Sequence, residues 1–221
     1  MVGRLRATAI ALLLVAATAT PLASETGFTV ETVTEAPAGL PDWLAPLLRT
    51  EGLRVSGPSG AMGVFWLRET MPARDPTGEL GIDFGHLPTG ALVGLLELTS
   101  PWSDYRRLPI PAGRYTLRYG VQPADGDHMG QTYFRDFLML VPLDDDAFAP
   151  EGGIDQEPVA EAAKKSTGTA HPGVMALYQI YDPPGGVAMV PNDYGEPCLA
   201  LPLGEVVMGL VVEGHGQSLP V

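Results

Sequence analysis

Residues 111–142, PAGRYTLRYGVQPADGDHMGQTYFRDFLMLVP, decide the fold class. Tyr115, Leu117, Tyr119 and Val121 alternate with Arg114, Thr116, Arg118 and Gly120. A period of two is that of a strand, and the apolar set predicts one buried face. Phe137 to Val141 is a short unbroken apolar run, as expected of a strand covered on both faces. The loop between them crowds Asp125, Asp127 and His128 into a few residues.

Working outward, the same signature recurs. Residues 26–34, 53–55, 62–68, 91–98, 173–181, 187–190, 198–203 and 205–213 read as further short strands. Turn formers punctuate them, among them SGPSGA at 56–61 and Pro183-Pro184-Gly185-Gly186. Gly94, inside an apolar run, marks a bulge or a close backbone approach. Two short helices are expected. One follows Asp42 as N-cap, through Trp43, Leu44, Leu47 and Leu48. The other covers 157–166, with Val159, Ala162 and Ala163 on one face. Residues 144–161 begin as an acidic, exposed excursion. Strands that do not alternate with helices, with turns about every ten residues, predict an all-β chain. The expected architecture is an antiparallel, jelly-roll-like β-sandwich, a flattened barrel being the alternative that periodicity leaves open.

Residues 1–23 read as a secretory signal peptide. Arg4 and Arg6 form its basic start and 7–17 its apolar centre, with cleavage options after Ala19 and Ala23. The apolar run is shorter than the roughly 20 residues a spanning helix needs, and Pro21 ends it. Residues 24–221 then form a single domain, and no later stretch offers a transmembrane helix. Export to a periplasm or the exterior is the expected localisation. The lone Cys198 permits no internal disulfide, and it reads as a small buried residue.

The whole chain carries a net charge of −13. Without Arg4 and Arg6, 26 acids face 11 bases, a charge of −15. That argues against nucleic acid and anionic lipid as partners and is compatible with cations, neutral sugars, small molecules or a basic protein, the expected ligand being a small molecule, a sugar or an envelope protein.

Segments of this chain resemble a family of exported bacterial β-rich proteins. The residues that carry the likeness are GLRV at 52–55 before FWLR at 65–68, and SDYR at 103–106 before PAGRYTLRYGVQPADGDHMG and RDFLMLVP. Residues 166–172, from Ser166-Thr167-Gly168 to His171-Pro172, add to it. The resemblance spans most of the mature chain. It implies one family-level domain and brings no activity, substrate or catalytic residue.

No H-E-x-x-H, P-loop, dinucleotide G-x-G-x-x-G or C-x-x-C occurs. Gly57, Ser59 and Gly60 do not form a nucleophile elbow, because G-x-S-x-G is not satisfied. Trp66 reads as core, Trp43 as an anchor of the first helix and Trp102 as the most exposed aromatic, and the tyrosines and tryptophans form no evident sugar-binding stripe. Two functions lead, and a third is a subunit whose exposed sheet edge recruits another strand. The first is a non-catalytic ligand-binding or accessory module of the cell envelope. The second is a metal-dependent enzyme around residues 125–136. There Asp125, Asp127 and Asp136 stand at positions one, three and twelve of a twelve-residue window, with Gly130 at six. That spacing partly matches an oxygen-lined calcium loop. His128, together with His171, would suit a transition metal better. The same acids also serve as turn caps, and Arg135 as the partner of an acid.

Overall fold

The computed structural model describes residues 26–123, 134–203 and 206–214. Its main strands are β1 (Thr29–Val33), β2 (Gly52–Gly57), β3 (Gly60–Leu67), β4 (Leu92–Leu98), β7 (Gly113–Val121), β8 (Asp136–Pro142), β9 (Val174–Gln179), β10 (Ala188–Pro191), β11 (Pro197–Leu203) and β12 (Val206–Val211). A short ribbon of β5 (Trp102–Ser103) and β6 (Pro109–Ile110) sits between β4 and β7. One α-helix, α1 (Gln156–Thr167), lies between β8 and β9.

The ten main strands form one sheet in the order β1-β2-β3-β4-β7-β8-β9-β12-β11-β10. The expected two-layer sandwich is therefore wrong. Its two halves are joined by the β8–β9 ladder, in which Phe137, Leu138 and Met139 pair with Ala176, Met175 and Val174. The end strands β1 and β10 come within 8 Å of each other (Cα–Cα), so the sheet curls into a near-closed barrel. A twisted sheet of this many strands has to curl or split. Strand alternation puts the same residues inside in either case, so only the continuity of the ladder distinguishes the outcomes.

The interior is filled with apolar side chains. Val55, Phe65, Leu96, Leu117, Tyr119, Leu138, Met175, Leu199 and Leu210 all belong to one buried cluster. Phe84 and Leu87 join it from the long β3–β4 connection, which folds over the end of the barrel where β4 and β8 begin.

The outer face is covered too, which corrects the expectation of one buried face for β7. Arg118 is wholly buried there, as is Thr116. Both bond Asp146 in the segment after β8, so the acidic excursion expected to be exposed is pinned to the barrel wall. Helix α1 lays Val159 and Ala163 on Met139 and Val141. Asp155 caps it by accepting from the Glu157 N–H, and Gly168, with φ of 64°, ends it. The other expected helix is only a single 3-10 turn, Ala45–Leu47, with Leu44 rather than Asp42 at its N-cap. Pro46 stands within that turn, where the helix would need an amide donor to continue. Leu44 is buried there, whereas Trp43 is 37 % exposed.

Gly94 fulfils its reading. The β4–β7 register shifts between Leu92 and Gly94, and a Cβ at Gly94 would lie 2.5 Å from the Trp66 carbonyl oxygen.

Candidate functional site

Of the five residues expected to bind a metal, Asp125, Asp127 and His128 lie outside the described residues. The other two are not brought together. Asp136 starts β8, while His171 lies beyond the far end of the β8–β9 ladder, where the Gly173 carbonyl accepts from the Leu140 N–H. Continuing the register puts His171 about six residues from the position facing Asp136, roughly 20 Å along the strands. The His171 carbonyl accepts from the Thr167 hydroxyl at 2.6 Å, and its side chain is exposed. Among the described residues, no group of three or more His, Cys, Asp or Glu is placed to hold a metal ion.

Asp136 serves the fold instead. Its Oδ1 accepts from the Tyr119 hydroxyl at 2.6 Å and the Phe84 N–H at 3.2 Å, and its Oδ2 accepts from the Asp83 N–H at 2.8 Å. This carboxylate thereby clasps the connection that carries Phe84 into the interior. Burial raises its pKa, opposed by those same hydrogen bonds. The Tyr119 hydroxyl is pushed up by burial first and by the Asp136 charge second, so it stays protonated and donates. His86, edge-on to Phe84 at 6.3 Å, is lowered by burial and raised less by Asp136. Arg135 anchors the same connection through Glu79 at 2.7 Å and the Leu80 carbonyl at 2.8 Å, as its reading as an acid's partner anticipated.

The outer wall of the β9–β12–β11–β10 half carries a different set. Phe134 meets Tyr178 at 5.5 Å and Tyr194 at 5.6 Å, and Tyr178 meets Tyr181 at 6.5 Å, all edge to face. Tyr181 is 72 % exposed and Tyr194 is 53 % exposed, whereas most large apolar side chains are buried. The Tyr178 hydroxyl donates to Asp193. The Asn192 side chain shapes the turn beneath them, accepting from the Tyr194 and Glu196 N–H groups and donating to the Glu196 carboxylate at 2.9 Å. Cys198 lies buried next to this cluster, its thiol pKa pushed up to about 12 by burial and by Glu196. A thiol held protonated is a poor nucleophile.

Reading the chain did not assemble the tyrosines, because Tyr178 and Tyr181, at and just past the end of β9, meet Tyr194, between β10 and β11, only through Phe134 on the barrel wall. One signal was present. Tyr181-Asp182 and Asp193-Tyr194 pair an aromatic ring with a carboxylate within a stretch, 166–221, that contains no Lys or Arg. Among the described residues, no helix is long and apolar enough to cross a membrane. No family model, no curated protein and no solved structure matches this chain.

Proposed function

We propose that this protein is an exported, non-catalytic binding module of the cell envelope, and that it binds through the outer tyrosine patch of Tyr178, Tyr181 and Tyr194. The observation that carries this reading is the contrast between inside and outside. The interior is packed with buried apolar side chains and closed over by Phe84 and Leu87, while exposed aromatic rings gather on one outer face. Tyrosine suits a binding surface, since it presents a large rigid ring with a polar tip at small entropic cost. The signal-peptide reading of residues 1–23 supports the envelope as its place of work.

The test is site-specific crosslinking in the producing cells. A photoreactive phenylalanine at position 181 is expected to give a discrete adduct, and the same group at Asp75, exposed on the β3–β4 connection, is expected to give none. Equal yields at both positions, or no adduct at 181, would overturn the reading.

A further inference from the structure

Resting on the reading of this patch as a binding surface, we infer that its ligand is a basic polypeptide segment, whose arginine or lysine side chains lie on the exposed tyrosine rings next to Asp182 and Asp193. The charge distribution is the first ground. Asp182 and Asp193 are both exposed beside Tyr181 and Tyr194. The last base before them is Lys165, and residues 166–221 add only Asp182, Asp193, Glu196, Glu205 and Glu213 as fully charged groups. At the far end of the ring series, Arg106 follows Tyr105 in sequence and is already paired with Asp104 and the Pro172 carbonyl. The rings add the negative potential of their faces to that of the carboxylates.

Ring geometry is the second ground. The Phe134–Tyr178, Phe134–Tyr194 and Tyr178–Tyr181 planes meet at 71°, 77° and 85°. In none of these pairs are the rings parallel, so they do not join into one continuous flat platform. They present faces in several directions, which suits cations arriving from more than one side chain.

Magnitude selects a polypeptide over a small cation. A single cation–π contact at an exposed site is worth roughly two- to fivefold in a binding constant. With Tyr181 at 72 % exposure, a free ammonium ion would keep most of its water and bind negligibly. A chain carrying several cations engages the rings and both carboxylates together, and the factors multiply.

The experiment uses the purified protein, isotope-labelled, with an arginine-rich octapeptide, its citrulline counterpart and a neutral oligosaccharide as probes. The arginine peptide is expected to shift the amides of Tyr178, Tyr181, Asp182, Asp193 and Tyr194. Its affinity should fall at least about threefold between roughly 50 and 200 mM salt, as screening requires. Citrulline, which keeps the shape and lacks the charge, should not bind. Tyr181→Ala and Asp182→Asn should each weaken binding roughly two- to tenfold, on the scale of one ring or one charge contact. Asp75→Asn, which removes equal charge elsewhere, should leave binding unchanged. All three sites are exposed, and unchanged melting curves would confirm that the variants fold. The inference is overturned if citrulline binds as well as arginine, if the shifts spread over the whole acidic surface, or if Asp75→Asn matches Asp182→Asn. A photo-adduct at position 181 with no arginine-peptide shifts, or with oligosaccharide shifts instead, would leave the binding surface standing and remove its cationic ligand. Loss of both adduct and shifts would remove both.

Discussion

Arg118 and Asp146 form a bidentate ion pair with neither side chain exposed, at 2.9 Å from Nε to Oδ2 and 2.7 Å from the second guanidinium nitrogen to Oδ1. The remaining guanidinium donors go to the carbonyls of Gly90, Ala149 and Phe148. A buried charge pair is tolerable only when every donor and acceptor is satisfied. This one fastens the segment after β8 to the middle of β7. Arg68 repeats the device nearby, through the Pro150 carbonyl and Glu151.

Removing one partner should be costly. Arg118→Met leaves Asp146 buried without its counter-charge, and a loss of about 3–5 kcal/mol is expected. Urea denaturation of Arg118→Met, Asp146→Leu and the double variant measures it. The double variant should be destabilised by clearly less than the sum of the two singles. Simple additivity would mean that the two residues act separately.

Gly94→Ala should destabilise by about 1–3 kcal/mol, the usual range for overpacking. The added carbon meets backbone, which cannot rotate away as a side chain can. Gly185→Ala is the contrast, since nothing lies within 4 Å of a Cβ there. A change beyond about 0.5 kcal/mol, the normal surface range, would show that the 183–186 turn is less open than described.

Leu117→Ala, inside the barrel between Tyr115 and Tyr119, should cost roughly 2–5 kcal/mol. Leu117 is fully buried and belongs to the interior cluster. A loss below about 1 kcal/mol, small on that scale, would mean that the inner face of β7 is wrongly placed.

His86 should titrate below its ordinary value of 6.5, because burial disfavours the imidazolium. Asp136→Asn should lower it further by removing the anion that holds it up. A group lowered on folding contributes stability that is complete above its unfolded pKa. That contribution is lost as pH falls from 6.5 towards the folded value. Asp136 itself has the opposite sign. Its raised pKa makes its contribution grow as pH falls towards the ordinary 3.8. Proton NMR of the imidazole resolves the first effect, and a His86→Gln variant should show a shallower loss of stability between neutral and mildly acidic pH. A His86 midpoint above 6.5 would contradict the burial described.

Export predicts a mature N-terminus between Thr20 and Ser24, readable by N-terminal sequencing of the envelope fraction. Recovery of the intact Met1 form from cytoplasm would refute it.

Much of this fold was legible along the chain, because strand formation is a local matter. The alternation of Tyr115, Leu117 and Tyr119 marked β7, and the apolar run 137–141 marked β8. Gly94 announced its bulge, and Val159 and Ala163 marked the buried face of α1. What decides between one sheet and two is long-range pairing. The three-residue ladder of β8 on β9, and the approach of β1 to β10, leave no local mark, so the barrel emerged only in three dimensions. The same holds for Arg118, whose polar, strand-alternating position reads as solvent-facing until Asp146, 28 residues later, folds over it. Asp136 likewise reads as a ligand in a polar loop until Tyr119 and the amides of Asp83 and Phe84 meet it. Composition made the last stretch of the chain acidic, since no Lys or Arg follows Lys165. Tertiary structure alone decided that Tyr178, Tyr181 and Tyr194 share one surface, because curling the sheet brings the β9 end and the β10–β11 turn onto the same outer wall.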